Sequence, residues 1–303
     1  MKKKVMVVLA AIVAAGVLAG CQGNTRSSTP ETGTAPAETT AATEADPASA
    51  ETTDTAAETS EESKAVTDVA GDAEILVAAA ASLKNAYEDK LIPMFEEQNP
   101  WITVKGTYDS SGKLQTQIEE GLEADIFMSA AEKQMKALDE GGMIASETIV
   151  DLLENKIVLI VPAGSEAGFS QFEDIAGAEM IAIGDPASVP AGQYAEEALT
   201  SLGLWEGIQD KVSLGTNVTE VLNQVAAASA DAGIVYATDA AGMADQVTVV
   251  AEAPVGSLAT KVIYPAAVVK NSANAEAAGL FLEFLQSPEA LAVFESYGFS
   301  AGQ

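Results

Sequence analysis

The chain has 303 residues and a formal net charge of −30, with 45 acidic against 15 basic side chains and no histidine. Its only arginine is Arg26 and its only cysteine is Cys21, so nothing downstream carries a guanidinium and no intramolecular disulfide can form. The acidic balance argues against nucleic acid and anionic membrane surfaces as electrostatic partners, and the absence of histidine excludes Ser-His-Asp triads and His-based acid, base or zinc chemistry.

Residues 1–20 read as a signal peptide, with basic Lys2-Lys3-Lys4 followed by an apolar run from Val5 to Val17. The run is too short and wrongly flanked for a membrane span. Leu18-Ala19-Gly20-Cys21 resembles the lipobox of bacterial lipoproteins, in which cleavage leaves Cys21 as a lipid-bearing N-terminus; an ordinary signal peptide ending near a cysteine is the alternative. From there to Asp72 the composition is Thr, Ala, Glu, Ser and Pro with almost no large apolar residue. Residues 21–72 are therefore expected to be a disordered acidic tether, because they cannot bury enough surface to offset their ordering entropy. Such a tether reaches ~40 Å. A glycosylated stalk is the competing reading.

Beyond Asp72, apolar strand-like runs alternate with amphipathic stretches, which predicts an α/β fold with largely parallel sheets, as one large domain or two small ones. Ile75-Leu-Val-Ala-Ala-Ala-Ala-Ser82 reads as a strand running straight into a helix, which Pro93 should kink or end. Ile102 to Val104 is a strand, and Ser110-Ser111-Gly112 opens a short helix closed by Gly121. Ala124 to Met128 is a strand and Lys133 to Glu140 a helix stopped by Gly141-Gly142.

The apolar strand Asn155 to Pro162 is the expected crossing between lobes. After it come a strand at Met180 to Ile183, a helix running to about Leu202, and a helix from Asn217 to Ala227. Asn217 and Glu220 stand in a capping-box arrangement at the start of that last helix. Ala232 to Tyr236 is a buried strand with a helix starting near Thr238. Tyr264 to Val269 and the amphipathic stretch Ala277 to Tyr297 return to the first lobe. The predicted division is 73–155 plus 255–303 for lobe 1 and 156–254 for lobe 2.

Ligands in open α/β sheets sit beyond the carboxyl ends of the strands. Ser82, Ser111, Ala191, Val218 and Tyr236 all fall at a strand end or helix start, where unpaired N–H groups and the helix dipole favour an anion. Ser82, Ser111 and Asn217 could equally be ordinary helix caps.

Six segments carry a family resemblance: Ala78-Ala-Ala-Ala-Ser-Leu-Lys-Asn-Ala86, Asp109-Ser-Ser-Gly112, Ala124-Asp-Ile-Phe-Met-Ser-Ala130, Gly184-Asp-Pro-Ala-Ser-Val-Pro-Ala-Gly-Gln-Tyr194, Gly233-Ile-Val-Tyr236 and the strand that opens Tyr264-Pro265-Ala266. Together they resemble the molybdate-binding proteins of ABC importers over nearly all of residues 73–303, and the stretch from Gly184 to Tyr194 is the most specific. The resemblance implies a two-lobed type II periplasmic-binding-protein fold with molybdate or tungstate, as an oxyanion, in the interlobe cleft. Position by position it implies hydroxyl and N–H donation from Ser82 and Ser111, N–H donation from Ala191 and Val218, and a phenolic hydroxyl from Tyr236. There is then no direct protein–metal bond and no cofactor. Asp109 departs from the family, which more often has a small neutral residue there; its charge is expected to point away from the site.

About seven neutral hydrogen bonds to a charged ligand, at roughly 1.5 to 3 kcal/mol each, can offset an association cost of ~4 to 15 kcal/mol. The expected protein is an extracytoplasmic, lipid-anchored, monomeric receptor that is not an enzyme and hands its ligand to an ABC permease. Amino-acid ligands would call for an arginine, sugars for aromatic platforms beyond Trp101 and Trp205, and ferric ion for histidine. Sulfate stays open. The further alternatives are a hydrolase using carboxylates among Asp109, Asp125, Asp185 and Asp239, and a structural lipoprotein with no cleft ligand.

Overall fold

A computed structural model describes residues 72–302. The expected signal peptide, Cys21 and all of the tether up to residue 71 lie outside the described residues. Two mixed sheets, each flanked by helices, organise the chain.

The first sheet is built on β1 (Ala73–Ala80), whose residues from Val77 onward are all buried. A continuous apolar run of this kind marks a strand covered on both faces. It is followed by a helical stretch in four pieces: a 3-10 turn (Ala81–Leu83), α1 (Lys84–Ala86), a π turn (Tyr87–Leu91) and α2 (Ile92–Gln98). Pro93 therefore does not end the helix. The widened turn, in which Ile92 N–H donates to Tyr87 O, makes room for the pyrrolidine ring just where a regular turn would clash. The same turn buries Tyr87, whose hydroxyl donates to Met128 Sδ at 3.0 Å.

β2 (Ile102–Asp109) runs well past Val104 and pairs in parallel with β1 at the sheet edge. Its buried and exposed residues alternate at first, as an edge strand with one solvated face requires. α3 (Ser111–Glu119), β3 (Ile126–Met128) and α4 (Glu132–Glu140) follow, with β3 parallel to β1 on its other side.

β4 (Val150–Asn155) belongs to the first sheet and β5 (Ile157–Pro162) to the second, so the chain changes sheets at Lys156. The second sheet adds β6 (Ile181–Gly184), α5 (Pro190–Ser201), the short α6 (Trp205–Ile208), β7 (Val212–Gly215), α7 (Val218–Ala226), β8 (Ala232–Tyr236), α8 (Ala237–Gly242) and β9 (Val247–Glu252). Its order is β7-β6-β8-β5-β9, with β6 parallel to both β7 and β8.

β10 (Val262–Val268) returns the chain to the first sheet, antiparallel to β3 and β4. The expected long terminal helix is two: α9 (Ala275–Leu285) and α10 (Pro288–Ser296), bent by 64°. Pro288 disfavours helical geometry at Ser287, and Ser287 Oγ instead caps α10 by accepting Ala290 N–H at 3.1 Å. β11 (Ser300–Ala301) then completes a sheet of order β11-β4-β10-β3-β1-β2. An edge-to-face cluster of Tyr87, Phe95, Phe281 and Phe294 binds α2, α9 and α10 to the body of this lobe.

Candidate functional site

The carboxyl ends of the parallel strands of the two sheets are drawn together by hydrogen bonds between the segments that follow them. Ser82 follows β1 in the 3-10 turn, and Ser111 opens α3 just beyond β2. Ala191 lies in the first turn of α5 after β6, Val218 in the first turn of α7 after β7, and Tyr236 closes β8. The four helix-start N–H groups have no acceptor within their own helix. Ser111, Ala191, Val218 and Tyr236 are buried, and Ser82 is half-buried.

Hydrogen bonds join the segments around these positions, within the first lobe and across the two. Ala130 N–H donates to Ser111 Oγ at 3.0 Å, leaving the serine proton free to donate. The Tyr236 hydroxyl donates to the Ala130 carbonyl at 3.1 Å. Gly112 N–H donates to Ser188 O at 2.9 Å, Gln134 Nε2 to Gln193 Oε1 at 3.1 Å, and Asn217 Nδ2 to Asp109 Oδ1 at 3.3 Å. The lobes are thus closed on one another.

Two glycine contacts explain the local motifs. A Cβ on Gly192 would overlap the backbone of Gly184, so this pair lets the first turn of α5 sit directly on the end of β6 and fixes where the Ala191 N–H stands. A Cβ on Gly112 would overlap the carbonyl oxygen and Cα of Ser188 in the opposite lobe. Gly112→Ala is compatible with helix α3 itself. We expect it to leave the melting temperature nearly unchanged while lowering ligand affinity about tenfold, because it penalises only the closed arrangement. Calorimetric titration checks this, and unchanged affinity would mean that the contact is dispensable.

Sequence reasoning gave no role to the groups behind Ser82, although Tyr264 stands in one of the family-like segments. Ser82 Oγ and Tyr264 Oη share a hydrogen bond of 3.0 Å, and Asn155 Nδ2 donates both to Tyr264 Oη at 3.2 Å and to Thr238 Oγ1 at 2.9 Å. With Asn155 already donating to it, Tyr264 can give its proton to Ser82, and Ser82 keeps its own for a ligand. Tyr236 packs edge-to-face on Tyr264, with ring centroids 5.4 Å apart. Burial, with Tyr264 as a smaller cause for Tyr236 and Asp239 for Tyr264, holds both phenols well above their ordinary value, so they remain protonated donors. Because the Tyr236 proton is engaged with Ala130, donation to an anion requires the O–H to turn to its other in-plane orientation.

Asp109 accepts Ser110 N–H at 2.7 Å as well as the Asn217 amide, and Lys113 Nζ lies 3.2 Å away. Its charge is met on all sides. The four aspartates considered for acid–base work are not paired: Asp125 accepts Leu76 N–H at the far end of β3, and Asp185 holds a turn by accepting Ala187 N–H at 3.0 Å.

The closed two-lobe α/β body, with the strand ends of both sheets hydrogen-bonded across the lobes, is the architecture of a solute receptor. Residues 75–300 match the family of bacterial extracellular solute-binding proteins, and the chain belongs to that family. It is 42% identical over 240 residues to the molybdate-binding protein ModA of Haemophilus influenzae, covering 77% of this chain and 92% of that protein. It is 41% identical over 235 residues to YvgL of Bacillus subtilis, a candidate ABC transporter substrate-binding lipoprotein, covering 78% and 89%. Among solved structures it resembles the periplasmic molybdate-binding protein of Azotobacter vinelandii, with a TM-score of 0.66 at 25% identity over 76% of this chain and all of that one. It is an extracytoplasmic binding protein and not an enzyme.

Proposed function

We propose that this protein captures molybdate in the interlobe crevice and delivers it to an ABC permease. The observation that carries the reading is the set of hydrogen bonds that draws the strand ends of the two lobes together, in a folded region without arginine or histidine. The proposed donors are all neutral hydroxyl and N–H groups, and both the Haemophilus relative and the Azotobacter neighbour are named as molybdate-binding proteins. Ser82, Ser111, Ala191, Val218 and Tyr236 form the donor set, and tungstate, with the same tetrahedral dianion chemistry, is the second ligand. Lobe 1 comprises 73–155 plus 255–303, and lobe 2 comprises 156–254.

Titration calorimetry with molybdate, tungstate, sulfate and phosphate tests the assignment. Molybdate and tungstate should bind in the micromolar range or tighter. Sulfate should bind at least about tenfold more weakly, because a smaller anion leaves part of a fixed donor set unpaired. Equal sulfate affinity overturns the selectivity, and no binding overturns the function.

The receptor acts as a monomer held to the membrane by lipid on Cys21 after removal of the signal peptide. The motif Leu18-Ala19-Gly20-Cys21 supports this, as does the description of the Bacillus relative as a lipoprotein. A Cys21→Ser variant should appear in the soluble fraction; retention in the membrane fraction rules the anchor out.

A further inference from the structure

The position where this chain carries a charge beside its serines does more than tolerate it. Asp109 ends β2 in the first lobe, and its Oδ1 accepts the side-chain amide of Asn217 in the second lobe at 3.3 Å. Asn217 is the cap of α7, because its Oδ1 accepts Glu220 N–H at 3.0 Å. The amide is thereby used at both ends, one holding the helix and the other reaching across the cleft. Immediately after it stands Val218, whose N–H belongs to the proposed donor set. On the Asp109 side, Ser110 N–H and Lys113 hold the carboxylate in place at 2.7 and 3.2 Å. Lys113 also faces Glu220 of α7, whose carboxyl is held below its ordinary value chiefly by the Thr216 N–H and hydroxyl, with Lys113 as a smaller cause.

We propose that Asp109 is a positioning residue for ligand retention: it clasps the cap of α7 across the cleft and so holds the second lobe's donors closed over the anion. This rests on the oxyanion-receptor reading above. It predicts the reverse of simple electrostatics, by which removing a negative charge near an anion site would tighten binding. Asp109→Ala should accelerate molybdate release about tenfold, the effect of one hydrogen bond involving a charged group, with little change in the association rate. Asp109→Asn keeps an acceptor for Asn217 and should return the release rate to within about threefold of the unmodified protein.

The decisive experiment is stopped-flow measurement of sodium molybdate association and release, combined with calorimetry, on the unmodified protein, both Asp109 variants, Asn217→Ser and the double variant Asp109→Ala/Asn217→Ser. Serine retains capping of α7 but has no amide to cross the cleft. The double variant should therefore release molybdate no faster than either single one, a non-additivity that a general loss of stability would not give. Equal or slower release from Asp109→Ala, loss in Asp109→Asn as large as in the alanine variant, or additive effects would each overturn the clasp while leaving the receptor reading intact. Absence of molybdate binding by the unmodified protein would overturn both.

Discussion

Replacing Ser82 and Ser111 together with alanine is expected to lower molybdate affinity by about two to four orders of magnitude, from two lost hydrogen bonds to a charged ligand at ~1.5 to 3 kcal/mol each. The two serines are not equivalent in the protein without ligand. Ser111 Oγ accepts the buried Ala130 N–H, so Ser111→Ala strands that donor and should also lower stability by about 1 to 3 kcal/mol. Ser82→Ala removes the acceptor of the Tyr264 hydroxyl proton, but Ser82 is only half-buried and Tyr264 keeps its hydrogen bond from Asn155, so the cost should be smaller. Calorimetric titration and thermal melts on the single and double variants separate the two effects. Unchanged affinity in a folded double variant would mean that the serines only organise their helices.

The second large effect concerns pH. Asp239 lies in the first turn of α8; its Oδ2 is shut off from solvent and without a partner. Burial pushes its carboxyl up from 3.8 to about 7, opposed in part by a hydrogen bond from the Tyr236 backbone. A carboxyl whose pKa is higher folded than unfolded contributes stability that is fully present below the unfolded value and is lost as pH rises through the folded one. The window here is about pH 4 to 7, and about three units at ~1.4 kcal/mol each set an upper limit near 4 kcal/mol. Since the residue itself is only half-buried, about 2 kcal/mol is the working figure, or roughly 4 to 8 °C in melting temperature for a domain of this size.

Asp239→Asn keeps an acceptor for Tyr236 and should melt higher than the unmodified protein at pH 8 but not at pH 4. Equal melting at pH 8 would show that the carboxylate is solvated. Asp174 and Glu220 work in the opposite sense. Backbone N–H donors from Ser170 and Thr216, respectively, are the largest cause holding these carboxyls below their ordinary values. Their contribution is present above the unfolded value and lost as pH falls, below the Asp239 window for Asp174 and from its lower edge downward for Glu220.

The central strands were legible because burial on both faces leaves a continuous apolar run, as in β1, β5, β6 and β8. The strands that the pattern missed, β4, β7, β9 and β11, carry polar or exposed residues along their length. An edge strand needs only one covered face, and even β4, which is not an edge, interleaves Asp151 and Glu154 with its buried leucines. Pro93 misled for a different reason: a π turn is a register change with no residue signature of its own.

Composition by itself determined that no guanidinium or imidazole can hold an anion, because no arginine or histidine stands in residues 72–302. Local sequence also determined which residues would stand at strand ends and helix starts, since caps, glycines and apolar runs act over a few residues. Only the tertiary structure decided that Asn155 and Tyr264 stand behind Ser82, that Gly112 abuts Ser188, and that Asp109 reaches the cap of α7. Asn155 and Tyr264 are 109 residues apart, and Asp109 and Asn217 are 108 apart. A hydrogen bond over such a separation is set by how whole sheets pack, and it leaves no local trace in the chain.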